Sequence, residues 1–116
     1  MIVVEWFGCR LVAGDNAREH WGSRVARAKR QRAAAKLWVA NAFAGSGPPR
    51  PPYRVTIIRC GWRHLDDDNL AGSAKHIRDG VADALGVNDG DKRKVRWFYG
   101  DEIRKRYGVR IEIEGG

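Results

Sequence analysis

The segment that most constrains the fold is the run Tyr-Arg-Val-Thr-Ile-Ile-Arg-Cys at residues 53–60. It is rich in β-branched residues and alternates at its start, which predicts a well-formed β-strand. The helix predicted next, over residues 69–85, carries an apolar stripe at helical spacing, formed by Leu70, Ala74, Ile77, Val81, Ala84 and Leu85. This succession predicts a sheet with helices packed on it.

The other predicted elements complete one small mixed sheet. Further strands are predicted over residues 1–7, 94–99 and 108–114. The last two strands are interpreted as an antiparallel pair around a loop. The order is therefore strand, helix, strand, helix, strand, strand, which is an α/β (α+β) fold with two main helices in a single domain of 116 residues.

The first helix is predicted over residues 23–44. Ser23 suits its N-cap, and three consecutive alanines favour the helix. Trp38 and Phe43 are expected to dock it on the sheet. All four prolines lie in the following stretch, residues 45–52, which is predicted to be a stiff connector.

Charge narrows the possible partners. The sequence carries 22 Lys and Arg against 14 Asp and Glu, giving a net charge of +8. The cations concentrate between Arg18 and Lys36, where Glu19 is the single acid, whereas carboxylates concentrate between Asp66 and Asp91. A basic surface beside an acidic pocket is what a metal-dependent nuclease needs, because phosphate must be drawn in and a cation held where cutting occurs.

Other patterns exclude whole classes of protein. No run approaches the roughly 18 apolar residues that span a membrane. The N-terminus lacks the basic region of a signal peptide. We therefore expect a cytoplasmic protein with no membrane partner, in which Cys9 and Cys60 are reduced and buried.

An acidic run, Asp66-Asp67-Asp68-Asn69-Leu70, separates the strand predicted over residues 53–60 from the second helix. If residues 66–68 are extended, Asp66 and Asp68 point the same way, about 7 Å apart at their Cα atoms, and Asp67 points elsewhere. Two converging carboxylates suit Mg²⁺, which takes oxygen ligands and keeps several waters. Asp68 alone also suits a helix N-cap, but three adjacent aspartates repel one another unless a cation or basic groups offset them.

The helix after this run adds a cation. At 100° per residue, Asp68, Lys75 and Asp79 share the side opposite the apolar stripe. This arrangement would place Lys75 beside the carboxylate pair. The plain alternative is an ordinary surface ion pair between Lys75 and Asp79.

A second acidic patch, Val87-Asn88-Asp89-Gly90-Asp91, has the composition of a turn. A helix of about 17 residues is roughly 25 Å long, so this turn begins far from Asp68. It reaches a metal there only if the chain doubles back or a partner subunit supplies it.

These residues resemble the signature of the RusA family of Holliday junction resolvases. That signature is Asp-x-Asp-Asn-Leu, a helix carrying a lysine, and an Asp-Asp pair in the following turn. Residues 66–70 match the first part without gaps, and residues 16–32 resemble the basic N-terminal stretch of the family. Asp89 matches the third catalytic aspartate, with Asp91 as the weaker substitute. Two departures are Gly72, which stands where the family lysine lies, and Asn88, which replaces an acid.

The resemblance implies a homodimer, of a kind typical of phages and prophages, that nicks four-way DNA junctions symmetrically with Mg²⁺. Asp66, Asp68 and Asp89 would hold the Mg²⁺, and Lys75 would stabilise the transition state. The DNA backbone would be held by basic side chains of the first helix, namely Arg24, Arg27, Lys29, Arg30 and Arg32.

Some assignments stay open. Trp21 and Trp62 suit either core packing or stacking at the branch point, and His20 and His64 are left out of the catalytic set. Alternative functions are a binding-only protein with a degenerate site, a basic phage regulator of transcription, and an RNA nuclease. Gly72 and Asn88 motivate the binding-only alternative.

Overall fold

Seven elements build the fold in the computed structural model of the chain. The structure describes residues 1–8, 11, 21–45, 47, 49–64 and 67–116, and of Trp21, Asp67 and Asp68 it describes the main chain only. The elements are β1 (Ile2–Phe7), α1 (Trp21–Ala42), β2 (Tyr53–Gly61), α2 (Asp67–Ser73), α3 (Lys75–Leu85), β3 (Val95–Ile103) and β4 (Gly108–Glu114). The predicted fold class is confirmed, and the second predicted helix is divided into α2 and α3.

The four strands form one mixed sheet in the order β1-β4-β2-β3. β4 runs antiparallel to both β1 and β2, whereas β2 and β3 are parallel, with Tyr53 opposite Val95 and Gly61 opposite Ile103. The predicted antiparallel pairing of the last two strands is therefore wrong. The crossover through α2 and α3 returns the chain to the start of β2, which makes β3 parallel to it.

The position of β4 has a physical reason in its own alternation. Val109, Ile111 and Ile113 face the core and are at most 2% exposed. The place of β4 between β1 and β2 sets these three side chains in the core beside residues of both neighbouring strands. β3 is left at the edge of the sheet.

One face of the sheet carries the helices. Val55 and Ile57 of β2 share a buried cluster with Val39 of α1 and with Ile77 and Val81 of α3. The two long helices cross closely at Gly80. A Cβ atom placed there would lie 2.3 Å from the carbonyl oxygen of Arg32 and 2.8 Å from the Cβ of Ala35. The opposite face of the sheet bears charged side chains, including Arg110, which forms ion pairs with Glu102 and Glu112.

The first helix begins earlier than its sequence suggests. α1 starts at Trp21, so Ser23 lies inside the first turn and its prediction as N-cap is wrong. Phe43 docks on the core at 8% exposure, as predicted, whereas Trp38 remains 42% exposed. Among the described helices, none combines the length and apolar character needed to cross a membrane.

The break between α2 and α3 lies at Ala74. Ser73 is buried, and its hydroxyl donates a hydrogen bond of 2.8 Å to the carbonyl of Leu70. A serine that bonds back to the preceding turn competes with the helix main chain and bends it. At the other end, Gly86 adopts a left-handed φ of 70° and closes α3 by donating to Asp83.

Candidate functional site

The acidic run lies at the carboxyl end of β2, where the chain enters α2. Asp66 and the side chains of Asp67 and Asp68 lie outside the described residues, so the predicted carboxylate pair does too. The main chain of Asp67 and Asp68 is already helical, because α2 begins at Asp67. The expectation that all of residues 66–68 are extended is therefore wrong for the last two, so strand alternation does not support a common direction for the Asp66 and Asp68 side chains.

Lys75 is exposed and begins α3. In the described part of the chain it has no ion-pair partner, so the alternative of a Lys75–Asp79 surface pair is not found. The interruption at Ala74 means that Asp68 and Asp79 are not on one continuous helix. The predicted common face of Asp68, Lys75 and Asp79 therefore does not follow from helical spacing.

The second acidic patch is a turn, organised by its own polar groups. The Asn88 side chain accepts the Gly90 N–H at 2.9 Å, and the Asp91 side chain accepts the Arg93 N–H at 3.1 Å. The Asp91 carbonyl also accepts the N–H of Val95 at 3.0 Å. Asn88 and Asp91 thus shape the turn that leads into β3.

Asp89 is bound within its own chain. Arg78 of α3 donates to its carboxylate at 2.7 Å and to the hydroxyl of Tyr99 at 3.1 Å. The Trp97 indole donates to the Asp89 carbonyl at 2.8 Å. Burial lowers the pKa of Arg78, but the hydrogen bonds to Tyr99 and Asp89 raise it by a larger amount, so the net shift of the pKa is upward.

The two acidic segments belong to opposite ends of the parallel pair. Asp68 follows the carboxyl end of β2, whereas Asp89 precedes the amino end of β3. Since β2 and β3 pair over nine residues, these ends are separated by roughly 26 Å. The geometry of one chain therefore does not favour a cation shared by Asp68 and Asp89.

A polar cluster that the sequence patterns did not identify lies at the same end as the acidic run. Arg59 is only 6% exposed at its side chain and donates to Asp101 of β3 at 3.2 Å. It also donates to the carbonyl of Arg63. The second carboxylate oxygen of Asp101 lies 3.1 Å from Nδ1 of His64.

One sequence signal could have indicated this cluster. Side chains alternate along a strand, so Arg59 lies on the same face as Val55 and Ile57. The sequence therefore places a charged side chain on the core face of the most apolar strand. The guanidinium lies over Gly61, where a Cβ atom would be 2.8 Å from an Arg59 nitrogen. Gly61 therefore permits the side chain to lie flat along β2 and reach Asp101.

The basic residues predicted to bind DNA lie on α1. Arg24, Lys29 and Arg30 are exposed, and Arg27 is partly buried. Arg32 instead forms two hydrogen bonds with Asp83 of α3, at 2.7 and 2.9 Å. These bonds hold the pKa of the Asp83 carboxyl below its usual value.

Two remaining predictions have definite outcomes. Trp62 is 54% exposed just after β2, so core packing is wrong for this residue. Cys60 is a buried free thiol, as expected, and burial raises its pKa. Cys9, His20 and the Trp21 side chain lie outside the described residues. Within the described ranges, no group of three or more His, Cys, Asp or Glu side chains converges as metal ligands do.

Comparisons with known proteins give one clear relationship. No protein-family model matches the sequence, and no solved structure matches it. The chain is 34% identical over 113 residues to an uncharacterized protein of Xylella fastidiosa (strain Temecula1 / ATCC 700964). The similarity covers 86% of this chain and 67% of that protein. The chain belongs to the family of that protein. The relative carries no functional name, so function has to be argued from the residues.

Proposed function

We propose that this protein is a Mg²⁺-dependent endodeoxyribonuclease that cuts four-way DNA junctions as a homodimer, in the manner of RusA-like resolvases. The observation that carries the proposal is the acidic run of residues 66–70 at the carboxyl end of β2. Ligands commonly bind at the carboxyl ends of parallel strands. Trp62 is exposed in the same connection, where it is available to stack on a base at a branch point.

The charge on α1 and α3 supports a polyanionic substrate. Burial lowers the pKa of His76, and although Asp79 opposes this shift, the charges of Lys75, Arg27 and Arg32 lower the pKa further. Lys75 of α3 and Arg27 of α1 therefore lie near one imidazole, whereas the charge of Arg32 is offset by its bonds with Asp83. A phosphate backbone laid across the first two cations would release counterions and bind in a salt-dependent way.

The proposed chemistry is hydrolysis of a phosphodiester. The carboxylates of Asp66 and Asp68, which match the two aspartates of the RusA-like signature, would hold the cation, since Mg²⁺ prefers oxygen ligands. Bound Mg²⁺ supplies a more acidic water and offsets negative charge on the phosphate. As the water oxygen gives up a proton to solvent and bonds to phosphorus, the bond to the leaving sugar oxygen breaks, and that oxygen takes a proton from solvent. Lys75 is the proposed cation that stabilises charge developing on the phosphate oxygens.

The third carboxylate has two candidates. Asp89 is the residue that the family pattern indicates, and because Arg78 binds it at the far end of β3, it would have to come from the second protomer. Asp101 stands at the same end of the sheet as the acidic run, paired with Arg59. If Asp89 is the ligand, mixing Asp68→Asn protein with Asp89→Asn protein should restore one intact site per heterodimer and recover cleavage.

The test of the proposal is cleavage of a synthetic four-way junction by the full chain. We expect paired nicks in Mg²⁺ and none in EDTA, with a linear duplex of the same sequence left intact. A protein that remains folded but leaves both substrates intact would contradict the enzyme assignment. Preferential binding to one linear sequence would instead identify a regulator of transcription, and preferential cutting of RNA an RNA nuclease.

A binding-only function is the second candidate, and Gly72 motivates it. This residue stands where the family lysine lies, and Lys75 is displaced by about one helical turn. A binding-only protein would retain junction affinity with no Mg²⁺-dependent product. Its affinity would then be the same in Mg²⁺ and in EDTA after correction for ionic strength.

A further inference from the structure

The outer edge of the sheet carries two clefts that share one wall. β3 is an edge strand, and its first half is flanked by clefts of about 780 and 580 Å³. Both are lined by Lys92, Val95, Arg96 and Phe98. The larger is also lined by Arg54, on the sheet face that carries no helix. Volumes of this size are typical of ligand sites.

The charge of these clefts is strongly unbalanced. Arg54, Lys92, Arg93 and Arg96 line the larger one, and Glu114 is the sole acid among its lining residues. In the described part of the chain, Lys92 and Arg96 form no ion pair. Arg93 is 95% exposed at its side chain, and its ion pair with Asp91 is a long one of 3.7 Å. Because like charges repel, such an array is stabilised by an anionic partner.

An exposed aromatic ring lies among these cations. Phe98 is 39% exposed, and the Arg54 guanidinium lies 4.4 Å from its ring centroid. Arg54 pairs with Arg96 and Thr56 with Phe98 across adjacent strands, so all four point to one face. The next residue on this face of β3 is Gly100, which adds no side chain beside the ring.

We infer that this edge of the protein binds an unpaired nucleic-acid strand through the β3 surface, formed by Arg54, Lys92, Arg93, Arg96 and Phe98. Aromatic rings and guanidinium planes stack on bases, and the surrounding cations hold the phosphates. Bases in a duplex already stack on each other, so a ring of this kind selects an unpaired strand. The inference rests on the proposed function only for the choice of a nucleic acid as the polyanion.

The position of the β3 surface gives it a role distinct from cutting. It lies at the amino end of β3, whereas the acidic run follows the carboxyl end of β2. A strand held there passes roughly 16 to 26 Å from the acidic run of the same chain. We therefore assign it to holding DNA that leaves the branch point.

The experiment measures the affinity of the full chain for fluorescein-labelled dT15 by anisotropy in EDTA, where no cleavage occurs. Phe98→Leu keeps an apolar side chain but removes the ring, and we expect the Kd to rise about tenfold. Phe98→Tyr keeps the ring and should bind as the unaltered protein does. Arg96→Gln should make the plot of log affinity against log salt less steep by about 0.7, the share of one phosphate contact.

Matched controls lie elsewhere on the chain. Lys105→Gln removes one exposed charge, and Ile103→Ala removes an exposed aliphatic group at the other end of β3. Both should leave the Kd within about twofold, and thermal unfolding should confirm that each variant is folded. The inference is overturned if Phe98→Leu binds dT15 normally, or if Lys105→Gln flattens the salt dependence as much as Arg96→Gln.

Further binding measurements test which class of polyanion the β3 surface prefers and whether its binding is independent of cleavage. Equal affinity for rU15 supports the inference, because stacking and phosphate contacts are common to both strands. Polyglutamate that displaces dT15 at equal charge concentration would overturn it in favour of an acidic protein partner. Asp68→Asn should bind dT15 normally, so loss of cleavage alone would be distinguished from loss of the β3 surface.

Discussion

Replacing Gly80 by alanine tests the packing that brings α1 and α3 together. The added Cβ would lie 2.3 Å from the main-chain oxygen of Arg32 and 2.8 Å from the Cβ of Ala35. Backbone cannot move as cheaply as the end of a flexible side chain, so the two helices must separate. Overpacking of this kind costs about 1–3 kcal/mol, and the short approach places Gly80→Ala near the upper limit.

A gain in helix propensity opposes part of that cost. Alanine is favoured over glycine in a helix interior by about 1 kcal/mol, which leaves a net loss of about 2 kcal/mol. For a domain of this size, each kcal/mol shifts the Tm by about 4 °C, so we expect a fall of about 8 °C. Calorimetry and urea unfolding would measure both quantities.

Gly72 is the matched control for this change. It is exposed in α2, and a Cβ atom there would meet no atom within 4 Å. Gly72→Ala should therefore show only the propensity gain and raise the Tm by about 2–4 °C. If Gly80→Ala were as stable as the unaltered protein while Gly72→Ala behaved as expected, the close crossing of α1 and α3 would be refuted.

Three other predictions follow from particular side chains. Gly72→Lys places a lysine at an unobstructed position where the RusA-like signature has one, so it should increase the rate of junction cleavage; an unchanged rate would contradict a role for that position. Burial lowers the pKa of His76 in the folded protein below the ordinary value of 6.5, so below pH 6.5 the unfolded chain binds a proton more readily than the folded one. The free energy of unfolding should therefore be highest above pH 6.5 and decrease as the pH falls from 6.5 to the lowered pKa. His76→Gln should remove that share of the pH dependence in urea unfolding. Asp101→Ala leaves the buried Arg59 without its carboxylate and should cost about 3 kcal/mol, whereas Arg59→Met combined with Asp101→Leu should recover most of the loss; equal stability of both variants would contradict the buried pair.

Much of the fold could be predicted because its strongest patterns are local. The β-branched residues of β2 and the apolar stripe through Ile77 and Val81 each specify an element without reference to the rest of the chain. Pairing of strands is not local. β3 and β4 are adjacent in sequence and look like a hairpin, but β4 pairs with β1 and β2, and nearness along the chain does not reveal that pairing.

At the candidate site, too, only the features set by neighbouring residues could be predicted from the sequence. The acidic run is contiguous, so its place where the chain leaves β2 and enters the next helix could be predicted from local patterns. The helix break at Ala74 coincides with a hydroxyl bonding to Leu70, a contact that periodicity cannot detect. The contact between Arg59 and Asp101 joins residues 42 positions apart, and it exists only because β2 and β3 are parallel and in register.

The ion-pair partner of Asp89 could not be predicted from the sequence either. Its place in an Asn-Asp-Gly turn indicated a loop, but nothing in the spacing indicated that Arg78 would bind its carboxylate at 2.7 Å. Whether Asp89 or Asp101 would complete the proposed metal site depends on the proposed dimer, and mixed-dimer cleavage addresses it directly.

The most direct test of the central proposal compares Asp68→Asn with Asp67→Asn in cleavage of a four-way junction over a range of Mg²⁺ concentrations. Both variants remove one carboxylate from the same run and leave the length and polarity of the side chain nearly unchanged. We predict that Asp68→Asn retains junction binding in EDTA but yields no nicks at any Mg²⁺ concentration, while Asp67→Asn cleaves as the unaltered protein does. Equal cleavage by both variants, or cleavage in EDTA, would contradict the proposal that a Mg²⁺ ion held by Asp66 and Asp68 performs the reaction.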